Sequence, residues 1–239
     1  MNPISSYLTS SIGRKWIVAL TGLALFGFVV GHMIGNLQIF IGPEPLNRYA
    51  NFLQNLGELL WVIRIGLLAM LVAHIFFTIK LRIENRAARG TAYAVTTRRA
   101  TTFPARTMTL SGLMVLCFII FHVLHFTAQT VDPSFRELHD EAGRHDVYRM
   151  MVKGFDGSSP NSPKVFSVPL GYLSSAFYIV AVGLLSMHLH HGIGSLFQTL
   201  GLNSAKVRPL WEKGGAAVSW LIFLGYAAIP VAVLTGVVK

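Results

Sequence analysis

The sequence predicts an all-α membrane protein of five transmembrane helices, and three observations carry that prediction. First, 53% of the 239 residues are hydrophobic and 13% are charged, at a mean hydropathy of +0.55, which is too little charge to cover a soluble domain of this size. Second, the apolar residues fall into five runs long enough to cross about 30 Å of hydrocarbon, which takes about 20 helical residues. Third, the basic residues cluster beside those runs, as topology signals do.

The spans follow in order. The first covers about Trp16 to Phe40. Its apolar run exceeds 20 residues and lacks a small-x-small cleavage site, so it reads as a retained helix and not a signal peptide. The second runs from about Leu59 to Leu81, with Arg64 near one end, where it can snorkel. The third runs from about Met108 to Ala128, the fourth from about Val168 to Leu200 and the fifth from about Gly215 to Val238. Helices are the default because an open sheet edge leaves its backbone unsatisfied in lipid. Residues 1–239 form one membrane domain.

Orientation follows from Lys and Arg. Arg14 and Lys15, the segment from Lys80 to Arg106 and the segment from Lys206 to Lys213 alternate so as to share one side, and together hold 12 of the 20 basic residues. That side is expected to be cytoplasmic, which puts the N-terminus inside and the C-terminus outside. The opposite side receives Gly42 to Glu58 and the long extracytoplasmic loop 129–167, in which Ser134 to Met151 has helical potential and Gly157 to Pro163 reads as a turn. The net charge of +10 does not indicate nucleic acid, since the basic residues sit at span ends without interleaved aromatics. The single cysteine, Cys117, excludes an internal disulfide and a Cys-ligated cluster, and reads as a small buried apolar residue.

Seven of the nine histidines lie in apolar runs. Ionisable side chains inside a membrane are costly and mark function. They are His32, His74, His122, His125, His188, His190 and His191; the fifth span has none. Counted along the helices at about 1.5 Å per residue, His32 and His122 both lie about 25 Å from the basic side, and His74 about 9 Å from it. His188 is in the half of the fourth span that descends toward that side. The result is two layers about 15 Å apart, His32 with His122 and His74 with His188. Paired imidazoles on facing helices at two depths suit two six-coordinate haems. Two strong axial ligands leave no open iron position, so the expected task is one-electron transfer. Zinc is disfavoured, because each layer offers few ligands. Gly27, Gly31 and Gly35 form a stripe on the first span that either admits a macrocycle or packs a neighbouring helix.

With those residues in view, the chain resembles the membrane cytochrome b subunit of the succinate dehydrogenase/fumarate reductase family, in its single-polypeptide, five-helix, di-haem form. The resemblance spans nearly the whole chain. It rests on Thr21-Gly22-Leu23 ahead of Gly31-His32, Leu46-Asn47-Arg48-Tyr49-Ala50, Ala73-His74, Phe121-His122-Val123-Leu124-His125-Phe126 and His188-Leu189-His190-His191-Gly192. It implies two haem b groups, with iron ligated by His32 and His122 in the outer pair and by His74 and His188 in the inner pair. His125 is then a nearby polar residue, and His191 is the alternative to His188. It also implies a flavoprotein and an iron–sulfur subunit on the cytoplasmic side, menaquinone or ubiquinone as substrate, and a location in a bacterial-type cytoplasmic membrane. Some relatives carry a glutamate at the outer end of the second span, where this chain reads Val62-Ile63-Arg64; Glu58 is the nearby substitute. The chain itself is expected to do no dicarboxylate chemistry. Competing classes are the cytochrome b of a hydrogenase or formate dehydrogenase, a proton-coupled transporter and a haem-free anchor. At least one histidine on each of the first four spans and none on the fifth favours the first reading, and the lack of internal repeats disfavours a transporter.

Overall fold

The computed structural model describes residues 10–88, 103–158 and 163–239. Arg89, Arg98 and Arg99, and residues 159–162 of the expected turn, lie outside the described residues. Five helical segments are long and apolar enough to cross a membrane: Ser11–Phe40, Glu58–Ala87, Phe103–Thr127, Leu170–Thr199 and Arg208–Leu234.

Helix α1 (Ser11–Asn36) starts at Ser10, whose hydroxyl accepts from the Gly13 N–H at 2.9 Å, and ends in a 3₁₀ turn, Leu37–Phe40. Helix α2 (Pro43–Gln54) follows Gly42, whose φ of 130° is open to glycine. Helix α3 (Glu58–Ala87) is next, then α4 (Phe103–His122), which passes into a π-helical turn, Val123–Thr127. A 3₁₀ turn (Pro133–Glu137) and a short helix α5 (Val147–Phe155) lie between α4 and a two-stranded hairpin, β1 (Lys164–Val165) with β2 (Val168–Pro169). Helices α6 (Leu170–Thr199) and α7 (Arg208–Leu234) complete the chain.

The five expected spans are present, with corrected ends. Helix α3 continues six residues beyond Leu81, because the charged residues past its apolar run pair instead of breaking the helix: Glu84 accepts from Arg14 of α1. Helix α7 begins seven residues before Gly215, with Pro209 in its first turn and an Arg208–Glu212 pair at 2.8 Å one turn on. Helix α4 begins at Phe103 and α6 at Leu170, the latter because the residues ahead of it form the hairpin and not a helix. Among the described residues the fold is therefore mostly helical, apart from that hairpin, an isolated bridge between His139 and His145 and the connecting turns. The stretch Gly42 to Glu58, expected as a connection, contains α2. Of Ser134 to Met151, only the turn to Glu137 and the start of α5 are helical. Cys117 is exposed on α4, a correction to its expected burial.

The helices pack in pairs. α3 lies along α1, α4 lies along α6 and α7 covers α6, while α4 hardly touches α1 or α3. A cavity of about 2990 Å³ runs between the pairs, lined by residues from all five long helices. Nothing on α3 is buried, although the helix is apolar on every side; its outward residues, such as Trp61, Ile65 and Val72, suit lipid contact. The close-packed core sits at one end, where Ile39, Leu46, Met151, Phe155, Tyr178 and Ile229 meet beneath α2 and α5. That capped end and the opposite end, marked by the Arg14–Glu84 pair, define the long axis.

The cap is fastened by buried polar groups. Asn47 is 1% exposed; its Nδ2 donates to Asp146 Oδ1 and its Oδ1 accepts from the Tyr148 N–H, both at 3.0 Å. Asp146 Oδ1 also accepts from the Arg149 N–H and so caps α5. Arg144 bridges Glu44 on α2 to Asp140 in the loop. Gly171 permits the junction with α6, since a Cβ there would sit 2.1 Å from the Asp156 carbonyl oxygen.

Candidate functional site

His32, His74, His122 and His188 come from four different helices and all line the cavity. The structure brings the first layer together closely: the His32 and His122 rings are 5.7 Å apart, centroid to centroid, at 82°. His74 on α3 and His188 on α6 both face the same cavity.

In three of the four, the Nδ1 atom is held by the protein. His74 Nδ1 is 3.2 Å from Thr21 Oγ1 and 3.1 Å from the Val18 carbonyl oxygen, both on α1. His188 Nδ1 is 3.4 Å from Ser111 Oγ on α4. His122 Nδ1 is 3.2 Å from the Tyr178 hydroxyl on α6. Among the described residues no hydrogen bond engages the Nε2 atoms of these three rings, which leaves them for the cavity. His32 is held differently, by a stacked Phe28 ring at 5.3 Å, with Tyr226 of α7 at 6.4 Å. Such outer contacts fix ring orientation and tautomer in metal-ligating histidines.

Gly22 makes room for a ring against the neighbouring helix, and at Gly112 a side chain would reach only ordinary contact. A Cβ on Gly22 would lie 3.1 Å from His74 Cε1, and one on Gly112 would lie 3.4 Å from His188 Cε1. The Gly27 to Gly35 stripe does not serve this purpose. Gly27 and Gly31 face open space, and only Gly35 is packed, against Tyr49 of α2.

The remaining histidines separate clearly. His125 does not line the cavity. It sits in the π turn, where the Ala128 N–H bonds back five residues to the Val123 carbonyl at 2.7 Å, and the altered winding turns it under the cap. It is 1% exposed, and its Nδ1 lies 3.3 Å from the same Tyr178 hydroxyl that holds His122. His191 lines the cavity, but no hydrogen bond holds its ring among the described residues. His145, at the capped end, lies 3.0 Å from Gln129 Nε2. Glu58 is exposed in the first turn of α3, where a carboxylate suits the helix dipole, and it does not line the cavity.

Tyr178, Thr21 and Ser111 as orienting groups, and Gly22 and Gly112 as spacers, were not singled out by their chemistry in the sequence. Tyr178 carries the one readable signal, a phenol inside an apolar run.

Chemically, each pair offers two imidazole nitrogens and little else. Among the described residues there is no group of three or more His, Cys, Asp or Glu side chains that could hold a metal ion. A metal between such a pair must take its other ligands from a cofactor. With metal–nitrogen bonds of about 2 Å, two rings on opposite sides of one metal have centroids about 6 Å apart, close to the spacing of His32 and His122. Ligand pockets usually measure about 300–1,000 Å³, so this cavity is large enough for more than one bulky group. No protein-family model matches the chain, and comparison with curated proteins and with solved structures returned no match.

Proposed function

We propose that this chain is the di-haem cytochrome b membrane subunit of a succinate:quinone oxidoreductase, either a succinate dehydrogenase or a fumarate reductase. It would carry electrons between an iron–sulfur subunit, itself docked to a flavoprotein, and a membrane quinone. The observation that carries this reading is the two histidine pairs facing one large apolar cavity, with three of the four Nδ1 atoms already engaged by the protein.

Haem b would supply reversible one-electron chemistry when bound. His32 and His122 would hold one group, and His74 and His188 the other. Thr21, Val18, Ser111 and Tyr178 engage Nδ1 of three of these rings and would leave Nε2 to the bound group. The apolar walls exclude water and lower the local dielectric, which is one of the protein's means of setting a potential. The basic segments around Arg14, Lys80 and Lys206 would face the cytoplasm, where the soluble subunits dock, and the cap would face outward.

The test is to purify the chain from its native membrane with the soluble subunits it retains and to record reduced-minus-oxidised spectra. Two low-spin b-type haems per chain, together with succinate- or fumarate-linked quinone turnover in the complex, are expected. A folded complex without haem overturns the reading.

A further inference from the structure

His125 Nε2 is one of two fully enclosed side-chain polar atoms with no hydrogen-bond partner among the described residues, the other being Ser174 Oγ. A buried orphan nitrogen of this kind is unfavourable if it stays unpaired. Beside it is a second, much smaller cavity of about 10 Å³, lined by His125, Asp132, Phe135, Lys153, Gly154 and Leu170 among others. That is about the least volume that admits one water. The walls supply polar partners: Asp132, buried at 6% exposure, and Lys153. Asp132 Oδ1 accepts from the Ser134 hydroxyl, which in turn accepts from Lys153 Nζ at 2.5 Å.

The proton positions in this chain of groups can be deduced, given the ligand role proposed above for His122. An imidazole that ligates through Nε2 carries its proton on Nδ1. His122 Nδ1–H therefore donates to the Tyr178 oxygen. Tyr178 has one hydroxyl proton, and among the described residues the acceptor left to it is His125 Nδ1. His125 is then the Nε2–H tautomer, and its orphan atom is a donor on a ring that, like Asp132, lines the small cavity.

We propose that His122, Tyr178, His125, one bound water and Asp132 form a directional hydrogen-bond relay, closed by an anion at the capped end, which tunes the electron-donating strength of the His122 ligand. Tyr178, His125 and Asp132 are positioning residues. Each bond polarises the next. The Asp132 carboxylate strengthens the water as acceptor, His125 then accepts more strongly from Tyr178, and the phenol oxygen draws harder on His122 Nδ1–H. A ligand made more basic in this way favours the oxidised metal and lowers its potential. The His74–His188 pair, backed by hydroxyls and a carbonyl with no carboxylate behind them among the described residues, lacks this tuning.

The proposal rests on the two-haem reading, and the test separates the two. Midpoint potentials of both haems and haem content per chain are measured in the intact complex for wild type, Tyr178→Phe, Asp132→Asn and the double variant. Asparagine keeps an acceptor oxygen for Ser134, so the local turn survives. The relay predicts that Tyr178→Phe raises the potential of one haem only, by on the order of a tenfold change in its reduction equilibrium, which for one electron is about 59 mV. Asp132→Asn shifts the same haem in the same direction by less. In the Tyr178→Phe background it adds nothing, because the chain is already cut. A wild-type complex without haem overturns the functional reading itself. Two loaded haems with potentials unmoved by Asp132→Asn overturn the relay, including where Tyr178→Phe loses haem and reports only on folding.

Discussion

Behind His74 and His188 stand a threonine, a backbone carbonyl and a serine; behind His122 stands a phenol that a second, wholly buried histidine shares. The first pair lies between helix pairs that pack loosely, along α3, on which nothing is buried. The second lies against the close-packed core and under a cap stitched together by Asn47 and Arg144. The same imidazole pairing thus sits in two environments, one backed by isolated contacts between helices and the other by a connected network under the cap. Perturbations should therefore separate by layer, with cap changes reaching only His32 and His122.

The largest separation is expected from Gly171→Ala. The added Cβ meets a backbone oxygen at 2.1 Å, which cannot swing aside as a side chain can. We expect a loss of about 3 kcal/mol, the upper range for overpacking, read as a lower unfolding temperature in detergent. The spectral change should be confined to the capped-end haem. Asn47→Ala should follow at about 2 kcal/mol, since it strips partners from the buried Asp146 carboxylate and the Tyr148 N–H. An equal disturbance of both haems by either variant would break the comparison.

The opposite layer is probed by its two glycines. Gly22→Ala presses on His74 at 3.1 Å and should cost about 1 kcal/mol, with a change in the absorption band of the His74–His188 haem. Gly112→Ala meets His188 at 3.4 Å, an ordinary contact, and should be nearly silent. Equal effects from the two would show that the ring approach is not what these glycines serve.

The hydropathy of the chain made the spans legible, because twenty apolar residues in a row have few other uses. Their ends were less so. Arg14 and Glu84 read as polar termini in one dimension and become a pair only when α1 and α3 lie side by side. The depth count matched His32 to His122 because rise per residue is a local property. What the sequence could not show is which side chains stand behind each ring. Ser111 and His188 are 77 residues apart, and Tyr178 reaches His122 from 56 residues away. The glycine stripe was open for the same reason: spacing gives a face, and only packing says that Gly35 meets Tyr49 while Gly27 and Gly31 meet open space.

The smallest expected effect is the pH dependence of the cap. Hydrogen bonds from Arg144 and then Arg48 hold the Glu44 carboxyl down at about 2, and Asp140 is lowered as well. A carboxylate whose folded value is depressed contributes stability above its unfolded value and loses it as pH falls through the folded one. The cap should therefore loosen between about pH 4.5 and 2, not in alkali. Glu44 is exposed, so the effect should shrink in high salt and fall in Arg144→Ala to what Arg48 alone supports. Proteolysis of the cap followed against pH would measure it.

The most direct test of the central claim is haem content per chain in four variants, His32→Ala, His74→Ala, His122→Ala and His188→Ala, each in a folded complex. The account predicts two haems in the wild type. It predicts loss of one and the same haem in His32→Ala and His122→Ala, and of the other in His74→Ala and His188→Ala. Full haem retention in any of the four, or losses that group across the layers, would contradict it.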